Sequence, residues 1–126
     1  MTKIKKRKSL LKECDELRSK AVKIRAGFRC EYCWKDKYLN SHHIFSRTNY
    51  STRFNLDNGI CLCVWCHTMS PHFSAHKTPL EFAERIIEQR GQTRYDNLKL
   101  DSKKVWDKDY DKVIANLTEQ ILQLTQ

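Results

Sequence analysis

The chain has 126 residues, of which 31% are charged, with 24 Lys/Arg against 15 Asp/Glu for a formal net charge of +9. This length allows one domain, or one small domain with helical extensions. No apolar stretch approaches the roughly 20 residues a membrane span needs, so no membrane partner is expected. The charge is uneven: residues 1–53 hold fifteen Lys/Arg and five Asp/Glu, a net +10, whereas residues 54–126 hold nine and ten, a net −1. A basic half of this kind favours a polyanion, most simply nucleic acid.

Residues 1–8 read as a basic tail. Lys3-Ile4-Lys5-Lys6-Arg7-Lys8 leads into no apolar segment of a secretory leader, so a cytoplasmic chain with reduced thiols is expected. Residues 9–126 read as one domain. Ser9 is a suitable N-cap for a helix over 9–26. Leu10, Cys14, Leu17, Ala21, Ile24 and Phe28 form its apolar stripe, with Lys12, Glu16, Arg18, Lys20 and Lys23 largely off it. Gly27 marks its end.

Arg29-Cys30-Glu31-Tyr32-Cys33 is a C-x-x-C knuckle, and Cys63-Val64-Trp65-Cys66 is a second. Two such pairs complete a tetrahedral Cys₄ site, closed and therefore structural, for which Zn²⁺ is the expected ion. Residues 34–62 between them leave room for a hairpin and a loop. Tyr38 to Phe45 reads as a strand and Gly59 to Leu62 as a second, with a long surface loop over 46–58. Cys14 and Cys61 read as packed thiols.

After the second knuckle, Ser70-Pro71 and Thr78-Pro79 could each open a helix. Leu80, Phe82, Ala83, Ile86 and Ile87 give a helical face that Gly91 ends, and 92–102 reads as a polar connector. A last helix is expected from Lys103 or Val105 to Leu124. Its Tyr110, Ile114, Leu117, Ile121 and Leu124 repeat at four, three, four, three. That repeat could seal a homodimer, but packing on the first helix is favoured.

His42 and His43 are adjacent on a strand and point to opposite faces. His-His-Ile, then Leu-Asp-Asn-Gly-Ile, then Cys-x-x-Cys-His, in this order, resemble the HNH endonucleases with their ββα-metal fold, over roughly Cys30 to His67. Arg53-Phe54-Asn55-Leu56-Asp57-Asn58 and the helical tail with Trp106 and Tyr110 are similar to the phage lambda NinG-type recombination endonucleases, approximately from Cys30 to Leu122.

The resemblance implies an α+β fold: a zinc-stapled ββα-metal core over 28–78, flanked by the first helix and a helical part over 79–126. It implies a DNA endonuclease in a bacterial or phage-infected cell, acting on branched DNA and leaving 5′-phosphate and 3′-hydroxyl ends. By its pattern His43 is the general base, His42 and His67 hold a catalytic divalent ion, and Asn58 fixes the loop. His72 is the nearer of the two further histidines, His72 and His76, for completing the ion's shell. Imidazoles suit Mn²⁺, Ni²⁺ or Zn²⁺ by ligand type, while abundance favours Mg²⁺ or Mn²⁺. Arg47, Arg53 and Arg29 are the expected phosphate contacts, with little sequence preference. A zinc ribbon that binds nucleic acid without cutting it is the competing expectation.

Overall fold

The computed structural model describes residues 2–126. The chain is α+β: the described residues form five α-helices and one two-stranded antiparallel sheet. Helix α1 spans Lys3–Arg25. It therefore begins six residues before Ser9, and residues 3–8 of the expected tail are its first turns; Met1 lies outside the described residues. Basic residues oppose the dipole at a helix start. Yet Lys and Arg are good helix formers, and no Gly or Pro interrupts the run before Gly27. Gly27, at φ +66°, turns the chain out of the helix.

Strand β1 (Leu39–His43) pairs with β2 (Gly59–Cys63), with Leu39 opposite Cys63 and His43 opposite Gly59. Alternation divides the sheet into two faces. One face lies on α1: the Ser41 and Ser19 hydroxyls hydrogen-bond at 3.1 Å, and a Cβ at Gly59 would sit 2.4 Å from Val22 Cγ2. Gly59 is thus the residue that lets α1 approach the strand. On the other face Ile60 and Leu62 pack with Phe82 and Ile86 of α3 (Pro79–Arg90). Three of the eight buried residues of that core are Cys30, Cys63 and Cys66. So small an apolar cluster makes sulfur a structural component, since full burial of each Leu, Ile or Phe contributes only about 1.5–3 kcal/mol.

The loop between the strands is not structureless. It holds α2 (Tyr50–Arg53) and a 3₁₀ turn over Leu56–Asn58. A second core gathers Cys14, Phe54 and Leu117, with Tyr50, Trp106, Tyr110 and Ile114 packed against it. It joins this loop to α1 and to α5 (Tyr110–Leu124). The apolar seam of α5 therefore packs inside the chain along its first half, while Leu122 and Leu124 are exposed.

Three other expectations change. Residues 92–101 are a helix, α4 (Gln92–Asp101), set off from α3 by Gly91 alone. The last helix starts at Tyr110, capped by the Asp109 carboxylate, which accepts from Lys112 N–H at 3.0 Å. Residues 71–77 form no helix. Among the described residues, no helix is long and apolar enough to cross a membrane.

Candidate metal and catalytic site

The four predicted cysteines come together. The Sγ atoms of Cys30, Cys33, Cys63 and Cys66 lie within 4.8 Å of one another, with Cys33 and Cys63 at 3.5 Å. A tetrahedral zinc with bonds of about 2.3 Å has sulfur–sulfur edges of about 3.8 Å. Each knuckle turns on its first sulfur: Cys33 N–H donates to Cys30 Sγ and Cys66 N–H to Cys63 Sγ, both at 3.5 Å. Cys30, Cys63 and Cys66 are buried, and Cys33 closes the group from outside.

Burial works against ionising the Cys30 thiol, but N–H groups of Cys33, Cys63 and Tyr32 bring its pKa below the usual value. Burial and the neighbouring sulfurs push Cys66 up, and burial raises Cys33. Four adjacent thiols cannot all ionise without a cation among them. The donor set therefore fits a tetrahedral metal such as zinc. Cys61 stands outside the group, its pKa pushed up to about 11 by burial and by Glu31.

A second group forms beside the first. Ring nitrogens of His42, His67 and His76 all lie within 4.8 Å of one another. His67 Nε2 and His42 Nδ1 are 3.1 Å apart, and the Phe82 and His42 rings meet in a T-shaped contact. Burial, then His67 and His76, push the His42 pKa down to about 3; burial and His76 lower that of His67. Neutral imidazoles with converging nitrogens are what a divalent ion of borderline softness takes.

The third member is His76, not His72, which is exposed and outside the cluster. The cause lies in the absent helix. His67 sits on a single π-helical turn, Trp65–Met69, and the chain then folds back. Ser70 Oγ accepts from the N–H groups of His72 and Phe73, buried Ser74 Oγ accepts from Lys77 N–H, and Thr78 Oγ1 accepts from Ser74 N–H. Hydroxyls that replace the helical ladder in this way favour turns. The result brings His76 N–H to His67 O at 3.0 Å, nine residues apart instead of one helical turn.

His43 leaves β1 on the α1 side. Its Nε2 lies 3.1 Å from the Arg53 carbonyl, which can only accept, so Nε2 carries the proton and Nδ1 the lone pair. Burial, then the Arg18 guanidinium, push its pKa down to about 4, with the Arg53 carbonyl opposing.

Asn58 anchors the segment that carries this carbonyl, without touching the carbonyl itself. This buried side chain accepts from Phe45 N–H at 2.7 Å and donates to Phe45 O at 3.0 Å and to Thr52 O at 3.2 Å. It thereby fixes α2, and with it the Arg53 carbonyl, against the end of β1.

Arg18 was expected off the buried stripe of α1, yet it is 2% exposed. Its guanidinium donates to the carbonyls of Ser41 at 2.9 Å and His42 at 3.0 Å, so it holds the histidine strand from below. Burial lowers its pKa to about 10. No periodic signal marks an arginine for burial; only the cluster of strand carbonyls explains it.

The three expected phosphate contacts separate. Arg53 makes a two-pronged pair with Asp15 at 3.0 and 2.8 Å, which raises its pKa, so its charge is committed within the fold. Arg29 is exposed and donates to Trp34 O at 3.3 Å. Arg47 is exposed, and among the described residues its side chain has no partner.

No protein-family model matches the chain, and comparison with curated proteins and with solved structures finds no match either.

Proposed function

We propose that the protein is a metal-dependent DNA endonuclease of the HNH type, with a ββα-metal core built on a zinc staple. The observation that carries this reading is the arrangement at the end of one strand. His42 joins two other imidazoles on one face, while its neighbour His43 stands on the other, oriented through a backbone carbonyl.

A phosphodiester resists attack because it is anionic. His43 is a suitable base for a water molecule: neutral near pH 7, with its proton held at Nε2 and its lone pair at Nδ1. Asn58 acts through the loop, keeping that imidazole in one tautomer and one orientation. His42, His67 and His76 would hold the divalent ion, whose contribution when bound is to neutralise the scissile phosphate and the departing 3′ oxygen. Three imidazoles favour Mn²⁺, Zn²⁺ or Ni²⁺ over the harder Mg²⁺. Phosphate attraction would come from Arg47 and from the first turns of α1, where Lys3, Lys6, Arg7 and Lys8 are exposed and no acid precedes Glu13. Branched DNA is the substrate that the NinG-type resemblance favours.

The test is nicking of supercoiled plasmid by zinc-loaded protein with Mg²⁺ or Mn²⁺ added. Cleavage is expected with Mn²⁺ and is expected to fall at least a hundredfold in His42→Ala, His67→Ala and His76→Ala. DNA binding without cleavage under any divalent ion would replace this reading with a zinc module that only binds nucleic acid.

A further inference from the structure

The outer surface of the zinc knuckles carries a group of aromatic side chains that serve no core. Trp34 is 67% exposed, Tyr38 80% and Trp65 47%. Their neighbour Tyr32 shows the contrast: it stacks on Phe73 at 3.8 Å between centroids. Among the described residues, Trp34, Tyr38 and Trp65 have no ring partner. Such side chains would ordinarily gain by full burial, and here each leaves about half or more of its surface open.

Two of them also stand in strained backbone. Trp34 has φ +70° and Tyr38 has φ +55°. For a residue with a Cβ, this region is sterically disfavoured, and glycine would occupy it freely. The turn after the first knuckle thus keeps large aromatic residues where the fold alone would favour small ones.

The surrounding charge is net positive. Lys35 and Lys37 lie between Trp34 and Tyr38, on either side of Asp36, and have no ion-pair partner among the described residues, and Arg29 donates to the Trp34 carbonyl. Tyr38 and Trp65, with Lys35, Asp36 and Lys37, line one hollow of about 240 Å³ that Cys63 also borders, so two cations face one carboxylate there. Exposed rings interleaved with cations are the means by which proteins hold unpaired bases, because every base offers a face to stack on and a phosphate to neutralise. Paired bases in a duplex do not present their faces. Trp65 also begins the single turn that carries His67, so the platform and the imidazole cluster share one element.

We infer that this knuckle face binds single-stranded DNA, stacking unpaired bases on Trp34, Tyr38 and Trp65 while Lys35, Lys37 and Arg29 meet the phosphates. The inference deepens the nuclease reading by naming the form of DNA, and it rests on that reading only for its consequence in cleavage. The enzyme would then act where single strand is available, as at flaps, gaps or open junctions.

The experiment is fluorescence anisotropy of a labelled 20-nucleotide oligo-dT and of a 20-base-pair duplex. The full-length, zinc-loaded chain is used in a His43→Ala background so that neither probe is cut. Trp34→Gly suits the turn, since glycine relaxes the positive φ; zinc content and far-UV circular dichroism report that the fold is intact. Trp34→Gly and Tyr38→Ala are each expected to weaken single-strand binding roughly tenfold. Tyr38→Phe should keep it, and duplex binding should change less than twofold. Trp65→Ala provides a third variant with ordinary backbone.

Unchanged single-strand affinity in all three variants would overturn the inference, as would an equal loss on duplex. Aromatic-dependent binding to phosphatidylserine vesicles in place of DNA would overturn it in favour of a lipid surface. The two readings fail separately: a chain that holds single strands by these rings but cuts nothing keeps the platform and loses the nuclease. A chain that cuts DNA with unaltered single-strand binding in the variants does the reverse.

Discussion

Asn58→Asp changes one atom of a buried side chain, and the hydrogen bonds around it predict a large effect. The native amide accepts from Phe45 N–H and donates to two carbonyls, those of Phe45 and Thr52. Truncation in Asn58→Ala orphans the Phe45 N–H, which costs about 1–3 kcal/mol, and removes two further bonds of about 1 kcal/mol each. Thr52 O keeps the Asn55 N–H at 3.1 Å, so it is not stranded. The expected loss is about 3–5 kcal/mol, or roughly 10–20 °C in Tm for a chain of this size.

Aspartate keeps the bond from Phe45 N–H but turns an oxygen toward two acceptors. At pH 7, Asn58→Asp should therefore be at least as damaging as Asn58→Ala, although it is closer in shape. Its carboxyl gains a donor only when protonated, so its folded pKa must rise above the unfolded value of about 3.9. The folded state then binds more protons, and the variant's deficit should shrink as pH falls through that folded pKa. Urea unfolding of the reduced, zinc-loaded proteins at several pH values measures this. An Asp variant within about 1 kcal/mol of the native chain at pH 7, or milder than Ala at every pH, would refute the account of Asn58 as the loop's anchor.

Gly59→Ala should destabilise by about 1–3 kcal/mol through the clash with Val22. In the double variant with Val22→Ala the two losses should sum to less than their separate values, which a double-mutant cycle checks. Arg53→Ala should lower stability through its Asp15 partner, with little change in the salt dependence of DNA binding. Arg47→Ala should do the opposite, lowering the salt slope by about one; titration at several salt concentrations separates them. Cys30→Ser or Cys63→Ser should abolish stoichiometric zinc by metal analysis, whereas Cys61→Ser should retain it.

The four-cysteine group was legible because covalent spacing dictates it: C-x-x-C brings two sulfurs onto one turn. The strands and the opposition of His42 and His43 were legible for the same reason, since alternation is a property of extended backbone. His76 was not. Its approach to His67 depends on hydroxyl-bridged turns at Ser70, Ser74 and Thr78, and Ser-Pro at 70–71 is equally compatible with a helix start. Arg18 and the Asp15–Arg53 pair were hidden because long-range partners decide whether a charge is solvated or spent within the fold. The helix over 92–101 does not stand out from a polar connector in the sequence, because it has little amphipathic pattern, with Leu98 its one buried residue. The site thus divides into parts set by local spacing and parts set by what the chain folds back upon.

The most direct test is single-turnover cleavage by His43→Ala, measured with its DNA affinity and zinc content on the same preparation. Native zinc, affinity within about twofold and a rate lowered by roughly 10²–10⁴ would match a base that acts only in the chemical step. Cleavage at the native rate by a correctly folded His43→Ala chain would contradict the assignment of that imidazole and the mechanism built on it.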